Sequence, residues 1–140
     1  MAVIYKTTAH ASAGREGVVQ TVDGFTVSLA FPKPGATHQD KNNPEQLFAS
    51  AYAGCFSQAM RVVLQQHQLQ LATQPIVGVS VELHDQDGLF HIKAGVELAI
   101  TGVDQTTAQT VITAAHAMCP FSRLIKPENF LGLTLNGAKL

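Results

Sequence analysis

The side chains best suited to chemistry in this chain of 140 residues are its two cysteines, Cys55 and Cys119. The N-terminus lacks a basic region followed by an apolar run, so we expect no secretory signal and a cytoplasmic location. In that compartment a pair of cysteines is more often catalytic, redox-active or simply buried than joined in a permanent structural disulfide. The two thiols are therefore the first candidates for function.

Cys55 lies in an apolar segment that we predict to be a long helix, from Pro44 to about Gln68. Asn43 is a good N-cap, proline suits the first helical position, and Glu45 complements the positive end of the helix dipole. The residues three, four and seven positions from Cys55 share its helical face, and all are apolar or amphipathic: Phe48, Ala51, Tyr52, Ala59 and Val62. Cys55 is therefore expected to face the interior.

Two interpretations of an interior Cys55 remain open. It could be an inert core residue, because free cysteine is among the most buried residue types and burial raises the pKa of a thiol. It could instead be reactive if a cation favours its thiolate, since Cys55 lies about three turns into its helix, where the helix dipole has faded. A reactive Cys55 therefore needs a cation from elsewhere in the fold.

Arg15 is the candidate cation, although it could equally be a solvated arginine of a loop. In an apolar site its guanidinium would need a carboxylate partner, and Glu45 could supply it. Glu45 and Cys55 are ten residues apart, about 15 Å along one helix, so the two cannot touch directly. An arginine reaching between them, from the same chain or from a partner chain, is the arrangement that would link them.

The remaining pattern predicts an α+β fold. Asp23-Gly24 and Asp87-Gly88 are hairpin signals between β-rich runs, and Asp104 should cap a second helix that ends where Cys119 precedes Pro120. Residues 31–43 read as a loop leading to the first helix, and the predicted strands lie at 3–8, 18–22, 25–30, 77–83, 90–100 and 131–135. Hairpins ahead of each helix favour antiparallel sheets packed around two main helices over a doubly wound parallel sheet.

Composition restricts the organisation and the partners. The chain is 46% hydrophobic and long enough for one core, which predicts a single domain over residues 1–140. Only 14% of its residues are charged, and together with the long apolar first helix this predicts that a second copy covers part of the surface in a homodimer. The net charge is −1 without a cluster of basic residues, so a nucleic-acid partner is not expected. We also expect no membrane-spanning segment.

Other catalytic and ligand-binding patterns are weak in this sequence. His116 and Cys119 are three residues apart on the second predicted helix, but two ligands fall short of the three or four that zinc needs, so no metal is expected. The remaining histidines show no ligand spacing and are expected at the surface, at positions 10, 38, 67, 84 and 91. The chain has no glycine-rich phosphate loop and no serine elbow.

Several segments together resemble the organic hydroperoxide resistance proteins of the osmotically induced protein C superfamily. The resemblance extends over nearly the whole chain in the same order. The matching segments are Gly14-Arg15-Glu16-Gly17, Asp23-Gly24, Asn43-Pro44-Glu45-Gln46-Leu47-Phe48-Ala49, Tyr52-Ala53-Gly54-Cys55-Phe56 and His116-Ala117-Met118-Cys119-Pro120-Phe121-Ser122.

The resemblance implies a thiol-dependent peroxidase that forms an intertwined homodimer and needs no cofactor. It implies that Cys55 is the peroxidatic cysteine, that Cys119 resolves its sulfenic acid as a disulfide, and that Arg15 with Glu45 activates the thiolate. It also implies organic, often fatty-acid-derived, hydroperoxides as substrates and lipoylated proteins or dihydrolipoamide as the reductant. Candidates for an apolar substrate-binding wall are Phe48, Phe56, Met118 and Phe121, each of which could also be ordinary core.

Two alternatives to this function stay open. The same thiols could form a disulfide once, as a signal, in a redox sensor or in a small-ligand-binding dimer. The chain could also belong to the general osmotically inducible subgroup, with broader use of peroxides. Turnover with a dithiol separates an enzyme from a sensor, and the comparison of cumene hydroperoxide with hydrogen peroxide separates the two peroxidase types.

Overall fold

The structure is a computed structural model of the chain, and it describes residues 1–32 and 40–140. Most of the predicted loop at 31–43, including His38, therefore lies outside the described residues. The chain divides into two compact units, Met1–Leu47 and Phe48–Leu140, and the division falls inside the first long helix. The single domain expected from the sequence stays a prediction.

The first unit contains a three-stranded antiparallel sheet of β1 (Ala9–Ser12), β2 (Val18–Thr21) and β3 (Thr26–Ser28), in that order. The prediction of a strand at residues 3–8 is wrong, because β1 begins at Ala9, where the sequence suggested a connection. A strand forms where a neighbour supplies hydrogen bonds, and β2 supplies them to residues 9–12. The β-branched and aromatic residues at the N-terminus raise local propensity without fixing a pairing.

The hairpin between β2 and β3 is confirmed, but its loop is longer than the Asp23-Gly24 pair suggests. The backbone N–H of Thr21 donates to the carbonyl of Phe25 at 2.8 Å, which leaves three residues in the loop. Gly24 has a φ of +101°, a left-handed conformation that glycine adopts without a steric penalty. The sequence therefore located the turn correctly and missed its length by one residue.

Helix α1 (Pro44–Gln66) matches the prediction closely. At its start the backbone N–H of Gln46 donates to Asn43 Oδ1 at 2.8 Å, and the backbone N–H of Asn43 donates to Gln46 Oε1 at 2.9 Å. This reciprocal pair is a capping box, which satisfies two donors that the first helical turn leaves without partners. The cap fixes where the helix begins and hence the position of every later residue on it.

The second unit contains a four-stranded sheet in the order β4 (Ile76–Gln86), β5 (Leu89–Ala99), β6 (Phe130–Leu135) and β7 (Ala138–Lys139). Strands β4 and β5 form the second predicted hairpin, joined by Asp87 at φ +54° and Gly88 at φ +82°. Two successive positive φ angles are those of a type I′ turn, whose twist matches that of the strands. β6 pairs with β5 in parallel, which the expectation of antiparallel sheets did not include.

Helix α2 (Gln105–Met118) connects the β4–β5 hairpin to the strands that follow it. The side chain of Asp104 accepts a hydrogen bond from the backbone N–H of Thr107 at 2.7 Å, so the predicted N-cap is confirmed. α2 ends at Met118 with Cys119 as its C-cap, and a short helix α3 (Pro120–Leu124), which the sequence did not predict, begins with proline at its first position. The α+β class is confirmed.

The core of the second unit lies between α1, α2 and the sheet. On α1 the buried apolar positions recur at spacings of three and four residues, as expected for one face of a helix: Tyr52, Phe56, Ala59, Met60, Val63 and Leu64. Cys55 lies on the edge of this stripe and is half-buried, and it packs against the core as predicted. Ala51, predicted on the same face, is exposed in this chain because the buried stripe runs along the neighbouring positions.

Helix α1 bears on the expectation that the chain has no membrane-spanning segment. By length and composition alone, α1 is long and apolar enough to count as a candidate span. A single helix of this kind is weak evidence for a membrane span, because the core helix of a globular protein meets the same criteria. α1 supplies Tyr52, Phe56 and Val63 to the core of the second unit, so its apolar face already has a partner.

Candidate active site

The two thiols lie in contact in the second unit. The sulfur of Cys119 is 3.6 Å from the sulfur of Cys55, and both cysteines are unbridged. Cys119 is fully buried, whereas Cys55 is half-buried. A disulfide has an S–S length of about 2.05 Å, so the two sulfurs would have to approach by about 1.5 Å to bond. The two sulfurs are thus two free thiols in direct contact.

Contributions of both signs act on the pKa of the Cys55 thiol. Burial raises the pKa of Cys55 because an apolar environment disfavours the thiolate. The backbone N–H of Phe121, which donates a hydrogen bond to the Cys55 sulfur, lowers that pKa, and the neighbouring Cys119 raises it again. The net result is a raised pKa. Within its own unit, Cys55 is therefore a protonated thiol at neutral pH, and a reactive thiolate requires a further source of positive charge.

The segment around Cys119 is held in place by local rules and by one buried contact. Cys119 has an extended backbone conformation, ends α2 and begins α3, because Pro120 cannot continue the α2 hydrogen-bond ladder. Three residues later, Ser122 lies 2.8 Å from the hydroxyl of Tyr52 on α1, and both side chains are buried. This hydrogen bond joins the same two segments as the sulfur contact does.

Aromatic rings surround the Tyr52–Ser122 contact. The Phe121 ring stacks on Tyr52 with ring centroids 5.8 Å apart, and Phe48 lies 6.0 Å from Phe121. Phe56 meets Tyr52 edge to face and is fully buried. Met118 is partly buried against the same core. Of the four residues expected to form an apolar wall, Phe48, Met118 and Phe121 thus keep an exposed fraction, whereas Phe56 lies within the core.

Arg15 and Glu45 form an ion pair in the first unit. The two guanidinium NH2 groups of Arg15 donate to the two carboxylate oxygens of Glu45 at 2.6 and 2.7 Å, a bidentate geometry that matches the two planar groups. The Glu45 side chain is 10% exposed and that of Arg15 is 32% exposed. The hydrogen bond from Arg15 lowers the pKa of Glu45, and the Glu45 carboxylate raises the pKa of Arg15. Both groups are therefore ionised at neutral pH.

The backbone around Arg15 explains the two glycines of the Gly14-Arg15-Glu16-Gly17 segment. Residues Gly14–Glu16 form a single 3-10 turn, and Gly14 has a φ of +56°, where a side chain would add strain. A Cβ at Gly17 would lie 1.7 Å from the carbonyl oxygen of Ser12, so only glycine fits there. The turn presents the Arg15 guanidinium to Glu45 and over the ring of Phe31, 5.6 Å from its centroid.

The His116 ring stacks on Phe130 with centroids 4.6 Å apart, and burial lowers the pKa of His116. Its buried Nδ1 atom has no hydrogen-bond partner among the described residues. Within residues 1–32 and 40–140 no group of three or more metal-ligating side chains occurs. Of the histidines expected at the surface, those at 10, 67, 84 and 91 are exposed.

The sequence anticipated part of this site and missed another part. It suggested the pairing of Arg15 with Glu45, which is present. It did not identify the Tyr52–Ser122 hydrogen bond or the Phe121 N–H that donates to the Cys55 sulfur. One available signal was Tyr52 itself, because a tyrosine on the buried face of a helix needs a partner for its hydroxyl group.

Comparisons with known proteins agree with the resemblance seen in the sequence. The family model for OsmC-like proteins matches residues 37–133. A relative from Mycoplasma pneumoniae (strain ATCC 29342 / M129 / Subtype 1), named organic hydroperoxide resistance protein-like, is 99% identical over 140 residues, with 100% of both chains covered. The organic hydroperoxide resistance protein of Xanthomonas axonopodis pv. citri is 36% identical over 135 residues, with 95% of each chain covered.

A solved structure also matches the fold. The crystal structure of an organic hydroperoxide resistance protein from Legionella pneumophila superposes with a TM-score of 0.82 at 34% identity, covering 96% of this chain and 97% of that one. The family model spans more than half of this chain, and the Xanthomonas relative is matched over nearly its full length. The chain therefore belongs to the OsmC-like family, in the group of the organic hydroperoxide resistance proteins.

Proposed function

We propose that this chain is a peroxidase that reduces organic hydroperoxides to alcohols with Cys55 and Cys119. Membership of its family associates the chain with resistance to organic hydroperoxides. The observation that carries the proposal is the contact between the two sulfurs, 3.6 Å apart, with one thiol half-buried and the other fully buried. The half-buried Cys55 suits a thiol that reacts with the peroxide first, and the fully buried Cys119 suits a thiol that reacts second.

In the first step the Cys55 thiolate attacks one oxygen of the hydroperoxide. The O–O bond breaks as two electrons pass from sulfur to the peroxide, a proton is taken up, the alcohol leaves, and Cys55 becomes a sulfenic acid. In the second step the Cys119 sulfur displaces the sulfenic oxygen. An S–S bond forms, the S–O bond breaks, and water leaves with the proton of Cys119. The disulfide protects Cys55 from further oxidation.

Arg15 is proposed to provide the positive charge that Cys55 needs. Burial raises the pKa of this thiol, so a peroxidatic Cys55 depends on a cation that stabilises the thiolate and the charge developing on the peroxide oxygens. The bidentate hydrogen bonds from Arg15 to Glu45 support this role, because they fix the orientation of a charged group that would otherwise be mobile. Glu45 is proposed as the residue that orients Arg15.

The substrate is proposed to be an alkyl or fatty-acid hydroperoxide. Phe48, Met118 and Phe121 supply an apolar surface beside the thiols, and such a surface favours an alkyl chain over hydrogen peroxide. Phe56, fully buried, would support that surface from within the core. A dithiol is the proposed reductant, and the family resemblance points to lipoyl groups of lipoylated proteins. The dithiol would reduce the disulfide to two thiols and become a cyclic disulfide.

A homodimer in the cytoplasm is the proposed working form. Between residues 50 and 57 the exposed face of α1 carries small uncharged residues, Ser50, Ala51, Gly54 and Ser57, so another helix can approach this part of α1 closely without burying a charge. The low share of charged residues points the same way. Whether Arg15 serves the thiol of its own chain or of its partner is then decided by mixed dimers of two inactive variants, which regain activity only if the sites are shared.

The proposal is tested by steady-state turnover. Purified protein is given cumene hydroperoxide and dihydrolipoamide, and peroxide loss is followed alongside the Cys55→Ser and Cys119→Ser variants. We expect many turnovers in the natural protein, none in Cys55→Ser, and one reaction followed by overoxidation or mixed disulfides in Cys119→Ser. Consumption of about one equivalent of peroxide and no more would instead indicate a sensor. A rate with hydrogen peroxide equal to that with cumene hydroperoxide would indicate the broader peroxidase type.

A further inference from the structure

We propose that the hydrogen bond between Tyr52 and Ser122 is a latch that keeps the resolving thiol against the peroxidatic thiol. The inference rests on the proposed function and adds two positioning residues to it. Tyr52 lies three residues before Cys55 on α1, and Ser122 lies three residues after Cys119 on α3. The hydroxyl groups are 2.8 Å apart, so the hydrogen bond and the sulfur contact join the same two segments in parallel.

The hydrogen bond of the latch is buried, so breaking it is costly. Tyr52 has no exposed surface and Ser122 is 7% exposed, so water replaces this hydrogen bond poorly. A buried hydroxyl without a partner is costly, and each residue therefore keeps the other in place. The aromatic ring of Tyr52 is held separately, by Phe48, Phe56 and Phe121. Removal of the hydroxyl alone thus leaves the ring packing intact.

The segment that the latch controls is short, and apart from the hydrogen bond it is held to α1 by the ring of Phe121 stacked on Tyr52. α3 has five residues, and Leu124 at its end is 73% exposed. At its start, α3 presents the Phe121 N–H that donates to the Cys55 sulfur and carries the Cys119 thiol 3.6 Å away. A shift of α3 away from α1 would therefore weaken both contacts at Cys55 at the same time.

Disulfide formation is the step that depends most on this position. The Cys119 sulfur must move about 1.5 Å towards the Cys55 sulfur to reach bonding distance. It must also approach opposite the S–O bond, which breaks as water leaves. Small misplacements of reacting atoms slow such steps strongly. When α3 swings out, the Cys55 sulfenic acid persists and becomes available to external nucleophiles or to more peroxide. The latch thus sets how much of the Cys55 sulfenic acid forms the disulfide and how much reacts with external nucleophiles or with more peroxide.

The test uses Tyr52→Phe, Ser122→Ala and the double variant Tyr52→Phe/Ser122→Ala. Each reduced protein receives one equivalent of cumene hydroperoxide in the presence of dimedone, which traps sulfenic acids, and intact mass spectrometry measures disulfide against dimedone adduct. Loss of one net hydrogen bond lowers the equilibrium constant for the latched position about fivefold. We expect the disulfide-to-adduct ratio to fall by up to that factor in all three variants, and to stay at the natural value in Tyr5→Phe, which removes an exposed hydroxyl elsewhere.

Stability separates a latch from a merely structural role. Each single variant leaves a buried hydroxyl unpaired and should unfold at lower urea, whereas the double variant removes both hydroxyls and should recover most of the loss. If the hydrogen bond only stabilises the fold, the disulfide-to-adduct ratio recovers with the midpoint in the double variant, and the latch is refuted. An unchanged ratio in the single variants also refutes it. If the natural protein forms neither disulfide nor adduct, the proposed function fails first, and the latch with it.

Discussion

Replacement of Glu45 by glutamine tests the ion pair that the proposed site depends on. Glutamine has nearly the same shape and keeps one acceptor oxygen for Arg15, but it lacks the charge and the second acceptor. The natural carboxylate receives two charge-assisted hydrogen bonds, at 2.6 and 2.7 Å, and its side chain is only 10% exposed. The substitution therefore removes an interaction that solvent replaces poorly.

The expected loss of stability is about 2 kcal/mol at pH 7. Hydrogen bonds to charged groups contribute about 1.5–3 kcal/mol each when one partner is removed. The Arg15 side chain is 32% exposed, so water can hydrate it once the Glu45 carboxylate is removed. The loss of unfolding free energy should therefore be smaller than the sum of two such hydrogen bonds. For a chain of this size, 2 kcal/mol corresponds to a fall in Tm of about 4–10 °C.

The loss of stability in Glu45→Gln should depend on pH. The pKa of Glu45 lies below its ordinary value in the folded state, because Arg15 stabilises the carboxylate, so its stabilising contribution is present above the unfolded pKa. As the pH falls through the lowered folded pKa, Glu45 takes up a proton and comes to resemble glutamine. The difference between the natural protein and Glu45→Gln should therefore be full at pH 7 and shrink towards zero in acid.

The assay is urea unfolding at one fixed protein concentration, from pH 7 down to the lowest pH at which both proteins still fold. Glu16→Gln is the matched control, because Glu16 is an exposed neighbour of Arg15 in the same turn and loses the same charge. We expect the control to change stability by less than about 0.5 kcal/mol. A Glu45→Gln loss as small as that of the control, or one that does not decline in acid, would refute the reasoning.

Two further predictions concern the thiol and a helix cap. Arg15→Met should shift the pH midpoint of Cys55 alkylation by iodoacetamide upward, because without a nearby cation burial raises the pKa of this thiol. The midpoint is measured in a Cys119→Ser background, with Lys6→Met as an exposed control. Equal midpoints in Arg15→Met and in the protein that keeps Arg15 would exclude Arg15 as the activating cation. Asp104→Ala should lower the free energy of unfolding by about 1 kcal/mol through loss of the α2 cap, whereas Asp104→Asn, which retains an acceptor, should lose less than half of that in urea titrations.

Features that depend on neighbours in the sequence were predicted well. The start of α1 follows from Asn43 and Gln46, whose reciprocal hydrogen bonds span three residues. The end of α2 follows from Pro120, and the turn between β4 and β5 follows from Asp87-Gly88, which tolerates two positive φ angles. In each case the interaction that decides the structure is local, so the residue types were sufficient.

Apart from the Arg15–Glu45 pair, features that depend on distant partners were predicted poorly or not at all. The strand expected at residues 3–8 formed at 9–12, because β2 selects its partner by hydrogen-bond register and not by propensity. The parallel pairing of β5 with β6 and the hydrogen bond of Tyr52 with Ser122 also join segments far apart in the chain. Several registers and partners satisfy the same local preferences, so the sequence alone could not choose among them.

The sequence by itself determined the chemical groups of this protein: two thiols, an arginine in a glycine-flanked turn, and a carboxylate in the first turn of a helix. Only the tertiary structure decided that the two sulfurs lie 3.6 Å apart and that Arg15 and Glu45 meet in a bidentate pair. It also decided that burial raises the pKa of Cys55. Distance and burial arise from packing between segments distant in the chain, and these two quantities govern whether a thiol is inert or reactive.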